Sequence, residues 1–279
     1  MRVVSLCPSM TELIFRLGRG DWLVGRTRFC ISPQPQVEAI PRIGGTKDPR
    51  IAQIVSLNPD LVIFNEEENR REDYDSLNAH GIRCLIYYPR TIDETCQMVK
   101  SVGLALDAAQ SSEVLLREIL EAQAYAQALL QAHASAPSGT QASPQASTHA
   151  QAVSPPHPST VIPSYAYLIW RKPYMTLNQD TYIAAILSAG GARNCFADVP
   201  TRYPTIELET LMQAQPDVVL LSSEPFPFEE KHVQELSLAT GWARSRFRLV
   251  DGAALSWHGS RTAEGIRYAA TLWRDQATE

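Results

Sequence analysis

Leu57-Asn58-Pro59-Asp60-Leu61-Val62-Ile63 in the first half of the chain and Ala214-Gln215-Pro216-Asp217-Val218-Val219-Leu220 in the second repeat one phrase. In each, a helical stretch meets a proline that cannot continue it, and an apolar run follows. Runs apolar at every position, rather than at alternate ones, are strands buried on both faces, as in parallel sheets. Gly44-Gly45 precedes the first unit and Gly190-Gly191 the second. Past each strand comes a glutamate-bearing loop, Asn65-Glu66-Glu67-Glu68 in one half and Ser222-Ser223-Glu224-Pro225-Phe226 in the other. A lone Pro-Asp pair does no more than end a helix. Its duplication with strand and loop predicts two equivalent units whose loops, beyond the carboxyl ends of parallel strands, face one interlobe cleft.

Strands and helices alternate outward from these phrases. Residues 2–6, 23–25, 60–64 and 84–88 read as strands, and residues 51–57 and 74–80 as helices. Pro8-Ser9-Met10-Thr11-Glu12-Leu13 opens a helix that Ser9 or Thr11 is expected to cap, closed at Leu17-Gly18. In the second half, residues 164–170, 217–221 and 247–250 read as strands, and 181–189, 208–213 and 263–274 as helices. The expected fold is α/β, with two Rossmann-like lobes (1–91 and 161–279) built on parallel sheets. Residues 92–132 join them as helices at 92–106 and 111–130, the second starting at Ser111-Ser112-Glu113-Val114. About 20 helical residues span roughly 30 Å, enough for a stiff strut. Residues 133–160 collapse to Ala, Gln, Ser, Thr, Pro and His, and no charged side chain lies between Glu121 and Arg171. That stretch reads as a disordered insertion, with His133, His149 and His157 too irregularly spaced for a metal site.

The chain has 279 residues, 44% hydrophobic and 20% charged, with a net charge of −5. No basic stripe favours nucleic acid, and no apolar run is long enough to span a membrane. The five cysteines (Cys7, Cys30, Cys84, Cys96 and Cys195) lack CxxC spacing and read as reduced thiols. Because the first strand begins at once, the sequence as written predicts a cytoplasmic protein, or a periplasmic one if the true start lies upstream.

Aromatic and polar residues share the loops at one end of the predicted lobes. Pro8 and Ser9, Phe29, Trp170 and Tyr174, Phe226, and Trp257, His258 and Arg261 form a ligand-binding set. Broad aromatic surface with few polar anchors suits a flat macrocycle or chelate better than a bare ion. His258 is the candidate axial ligand to iron or cobalt, with Cys7 and Cys30 as alternative thiolates. Glu66, Glu67, Glu68 and Glu224 fit either ion pairs to a partner's arginines or a facing acid–base pair. No GxSxG, HExxH, P-loop or GxGxxG occurs, so a non-catalytic protein is expected.

In chain order the sequence carries Ser5-Leu6-Cys7-Pro8-Ser9-Met10-Thr11-Glu12, Gly25-Arg26-Thr27-Arg28-Phe29-Cys30, Ile43-Gly44-Gly45-Thr46-Lys47 and Asn58-Pro59-Asp60-Leu61-Val62. Further on come Trp170-Arg171-Lys172-Pro173-Tyr174-Met175, Leu221-Ser222-Ser223-Glu224-Pro225-Phe226-Pro227-Phe228 and Ser256-Trp257-His258-Gly259-Ser260-Arg261. Together they resemble the helical-backbone metal receptor family, the cobalamin and ferric-siderophore binding proteins of ABC importers. The resemblance implies two lobes on one rigid helix and a monomer without a resident cofactor. Cobalamin or another corrinoid, a ferric siderophore or haem is then the ligand between the lobes. It also implies one exposed glutamate per lobe docking on an ABC permease, from Glu66, Glu67 and Glu68 in the first lobe and Glu224 in the second. A cytosolic carrier or sensor of the same cofactors is the alternative, and an enzyme using the interlobe carboxylates a further one.

Overall fold

A computed structural model of the chain describes residues 1–135 and 162–273. The first lobe comprises β1 (Val3–Ser5), α1 (Pro8–Arg16), β2 (Leu23–Arg26), α2 (Ile51–Ser56), β3 (Leu61–Asn65), α3 (Arg71–Ala79) and β4 (Cys84–Tyr87). Two helices follow, α4 (Ile92–Ala105) and α5 (Ala109–Ser135). The second lobe holds β5 (Ser164–Leu168), β6 (Tyr174–Met175), α6 (Tyr182–Ala189), β7 (Arg193–Asn194), β8 (Thr205–Ile206), α7 (Leu208–Ala214) and β9 (Val218–Ser222). It closes with α8 (Glu230–Thr240), β10 (Phe247–Val250), α9 (Gly252–Ser256) and α10 (Thr262–Thr271). Each lobe is a parallel sheet, ordered β2-β1-β3-β4 and β10-β9-β5-β7. A short antiparallel ribbon pairs β6 with β8. Of the disordered insertion predicted at 133–160, residues 133–135 belong to α5, and the rest, with the side chains of His133, His149 and His157, lies outside what is described.

Strand side chains alternate between two faces, and here each face feeds a different core. Val3, Leu61 and Ile63 of the first lobe and Tyr165, Tyr167, Val218 and Leu220 of the second point into one continuous cluster with α4, α5 and α10. The opposite faces, Val4, Val62 and Phe64 on one side and Ala166, Leu168, Val219 and Leu221 on the other, pack into private cores. The 27 residues of α5 run about 40 Å, packing on α4 and on α10. Gly103 of α4 permits the first of these contacts, because a Cβ there would meet Ser112 Oγ at 2.4 Å.

Two sequence expectations need correction, and one helix has no counterpart in the sequence reading. Neither Ser9 nor Thr11 caps α1; its N-cap is Cys7, and Pro8 supplies the first-turn residue that has no N–H to satisfy. Thr11 is instead buried, its hydroxyl donating to Ser5 Oγ at 2.8 Å. Nor does α5 start at Ser111; it starts at Ala109, and the Ser112 hydroxyl donates back to the Ala109 carbonyl at 2.7 Å. Helix α8 went unpredicted, since its capping box pairs Glu229 with His232 rather than Ser or Thr with Glu.

The repeated Pro-Asp phrase has a mechanical role in both lobes. Asn58 and Gln215, just before the prolines, adopt left-handed backbone with φ of 45° and 46°. Each turn then aims its aspartate at the start of the neighbouring strand. Asp60 accepts the Arg2 amide at 2.6 Å, and Asp217 accepts the Ser164 amide at 2.7 Å and its hydroxyl at 2.6 Å. Burial works to raise the Asp217 pKa, but the two bonds from Ser164 outweigh it and hold the carboxyl below the usual aspartate range. That stabilisation is therefore complete well above about pH 4 and lost as pH falls through the folded pKa. Asp217→Ala is expected to cost about 1–2 kcal/mol in urea unfolding at pH 7, shrinking as the acid limit is approached.

Candidate functional site

The loops past β3 and β9 and the segment between α9 and α10 meet where the lobes join. At their centre lies His258, buried and locked across the junction. The Asn65 side-chain oxygen accepts the amides of Glu67 and Glu68 at 2.9 and 3.1 Å, which leaves its NH2 group to donate to His258 Nε2 at 2.9 Å. Ser9 Oγ lies 3.4 Å from the same ring nitrogen, and Tyr182 meets the ring edge-on at 5.9 Å. Burial lowers the His258 pKa to about 4, so the imidazole stays neutral at pH 7.

Trp257 is held from two sides. Its indole N–H donates to Glu224 Oε1 at 3.0 Å, and the Ser256 hydroxyl donates to the same oxygen at 2.6 Å. The Arg261 guanidinium covers the ring at 4.3 Å while donating to Glu12 of the first lobe at 2.9 Å. In the same lobe, Trp170 packs edge-on against Phe226 at 5.9 Å and remains 41% exposed. Tyr174, half-buried, sits on β6 beside this pair. Phe29 stands on the first lobe, 48% exposed beneath the Arg28 guanidinium. Pro8 and Ser9 form the first turn of α1, with Ser9 Oγ 3.2 Å from the Cys7 sulfur. Burial, then the Glu68 carboxylate, pushes the Cys7 thiol up to about 12, and burial also raises Cys30, so neither is a thiolate at neutral pH. Among the described residues, no group of three or more His, Cys, Asp or Glu is placed to hold a metal ion.

The four glutamates part company. Glu66 is exposed. Glu67 crosses to the second lobe, accepting from Arg202 Nη1 at 2.9 Å and from the Tyr203 hydroxyl, while Lys47 donates to its carbonyl at 2.8 Å. Glu68 keeps solvent contact but is crowded by both lobes. Lost hydration raises its pKa first, Lys47 opposes, and Glu67 and Glu224 raise it further. Glu224 is spent on Ser256 and Trp257.

Sequence reasoning missed the residues that complete this junction: Asn65, Tyr88, Arg90, Asp180, Arg202 and Tyr203. Arg90 donates to Asp180 across the lobes at 3.2 Å, and the Arg202 guanidinium lies 4.6 Å above the Tyr88 ring. Tyr88-Pro89-Arg90 and Arg202-Tyr203-Pro204 each set an aromatic directly beside proline with an arginine in the same triplet, the mix of aromatic and polar residues that singled out the other loops.

Residues 3–246 match the model of the family described as periplasmic binding protein. The chain belongs to that family. Among curated relatives, a vitamin B12-binding protein of Photorhabdus laumondii is 24% identical over 80% of this chain and 70% of its own length. One from Vibrio cholerae is 25% identical over 79% of this chain and 70% of its own. Among solved structures, a periplasmic haem-binding protein from Roseiflexus superposes with a TM-score of 0.75 at 24% identity, covering 95% of each chain. The periplasmic vitamin B12-binding protein of Vibrio cholerae gives 0.72 at 22%, covering 97% of this chain and 95% of that one. The two lobes on a long helix are thus the class III periplasmic-binding-protein fold. Among the described residues, no helix is long and apolar enough to cross a membrane.

The buried histidine gives this family member a pH signature. Unfolded histidine takes up a proton near pH 6.5, whereas folded His258 does so only near 4. Stability is therefore full above about pH 6.5 and declines on acidification toward pH 4. Urea unfolding across that range is expected to show this slope, and His258→Gln to flatten it.

Proposed function

We propose that this chain is a non-catalytic binding protein that takes a corrinoid in the cleft between its lobes, as the substrate-binding component of an ABC-type importer. The observation that carries the reading is Trp257, an aromatic wall fixed at the lobe junction by Glu224 and Arg261. A pre-set aromatic surface binds a flat macrocycle without first losing side-chain freedom. This reading assigns to the same cleft the Trp170–Phe226 pair of the second lobe and exposed Phe29 of the first.

Corrinoid is favoured over haem by what the polar groups are already doing. Haem requires an axial donor. His258 Nε2 is taken by Asn65, Cys7 keeps its proton, and Glu67, Glu68 and Glu224 crowd the junction with carboxylate. A corrin ring carries its periphery as carboxamides, whose N–H groups donate to carboxylates. Named relatives that bind vitamin B12 support the same choice.

A carrier or sensor that works without a permease is the second reading, favoured by the engagement of Glu67 and Glu224 inside the molecule. Under the importer reading, docking falls first to Glu66, which is exposed and, unlike exposed Glu68, not crowded by the carboxylates of Glu67 and Glu224. Glu66→Lys is then expected to abolish corrinoid uptake by cells while leaving binding intact; unchanged uptake favours the carrier.

The ligand test is a titration of cyanocobalamin and of haemin, followed by calorimetry and visible absorbance. Cyanocobalamin is expected to bind, with affinity reduced about tenfold or more by Trp257→Ala, as for loss of a buried aromatic anchor. Tight haemin binding with no response to cyanocobalamin overturns the corrinoid reading.

A further inference from the structure

Arg202 is paired unevenly with its surroundings, the Glu67 carboxylate meeting its Nη1 and the Asp180 carboxylate lying 3.5 Å from its Nε. It is a half-buried cation on the second lobe, stacked at 4.6 Å on Tyr88 of the first. Its Nη1 donates to Glu67 at 2.9 Å and its Nε to the Asp180 carbonyl at 2.5 Å. Its Nη2 is buried and has no acceptor. A guanidinium fork commonly grips an oxyanion through two nitrogens, and here one tine is idle because Glu67 reaches only the other. Beside it the Tyr203 hydroxyl donates to the same Glu67 oxygen. Burial, then the Glu67 carboxylate, raises the Tyr203 pKa, so the hydroxyl stays a donor across the physiological range. Two donors, Arg202 Nη1 and Tyr203 Oη, thus meet on one carboxylate oxygen reaching over from the other lobe, while Arg202 Nη2 is buried without an acceptor.

We propose that Arg202 and Tyr203 form an oxyanion subsite for ligand, which the Glu67 carboxylate occupies as an internal stand-in when the protein is empty. The ligand group is of the carboxylate or phosphate class, and it enters by displacing Glu67. Glu67 then discriminates as well as closes. A ligand without an oxyanion leaves the Glu67–Arg202 pair in place, while one that carries it replaces an imperfect internal acceptor with a two-pronged one. Under the corrinoid reading, on which this last assignment rests, the group is the phosphodiester joining the nucleotide loop to the ring.

The subsite is testable without any corrinoid. Inorganic phosphate, titrated during thermal unfolding of the whole chain, is expected to raise the Tm of Glu67→Ala by about 2–4 °C more than that of the wild type. The double variant Glu67→Ala/Arg202→Ala is expected to lose that excess. Should Glu67→Ala fail to fold, Glu67→Gln keeps the size, removes the charge and is expected to shift in the same direction. Equal phosphate response in wild type and both variants overturns the subsite. The second measurement compares cyanocobalamin with dicyanocobinamide, which has the ring but not the phosphodiester. Glu67→Ala is expected to tighten the first at least about fivefold and the second less than about twofold, through removal of a competing charged contact. Equal tightening of both makes Glu67 a plain latch and overturns the assignment of a phosphate. A positive phosphate response with neither corrinoid bound keeps the subsite and overturns the corrinoid reading instead.

Discussion

The hydrophobic core shared between the lobes is the constraint on which the rest depends. In a hinged two-lobed protein each sheet would close its own core and the lobes would meet through polar surface. Here the inner faces of both sheets, through Val3, Leu61 and Ile63 and through Tyr165, Val218 and Leu220, converge on one cluster with α1, α4, α5, α6 and α10. Parting the lobes would expose side chains worth about 1.5–3 kcal/mol apiece when buried. Helix α5 is therefore less a linker than a common floor.

A rigid floor makes the polar junction above it possible. His258, Asn65, Ser9, Arg261 and Glu12 come from distant parts of the chain and from both lobes. Hydrogen-bond geometry tolerates errors of a few tenths of an ångström, so a mobile interface would not keep a neutral histidine satisfied at its centre. Rigidity also explains why aromatic walls can be fixed in advance, with Trp257 pinned between a carboxylate and a guanidinium.

The lobes were legible because period and punctuation agree. Apolar runs bounded by Pro-Asp turns and glycine-closed helices announce parallel strands, and the repeat announces two of them. Helix starts were less legible. Ser9, Thr11 and Ser112 are cap-type residues that spend their hydroxyls on buried or backbone partners, a choice set by tertiary packing. The site was half legible. Aromatics sharing loops with polar residues pointed to Trp170, Phe226 and Trp257, but no local pattern tells that Glu224 holds an indole or that Glu67 meets Arg202, 135 residues away. Such pairings exist only once the lobes face each other.

The paired aspartate clamps bear on how the chain reaches its fold. Asp60 fastens to Arg2 over 58 residues and Asp217 to Ser164 over 53, each wholly within its own lobe. Contacts between the lobes, such as Ser9 with His258, span 249. Closing a longer loop costs more entropy, so the clamped sheets are the economical first products, each a half with one face covered and one bare. The bare faces then find each other across α5. On that route the chain assembles as two intramolecular subunits that dimerise once, and a lobe synthesised alone would emerge with an apolar face seeking any partner, its own copies included.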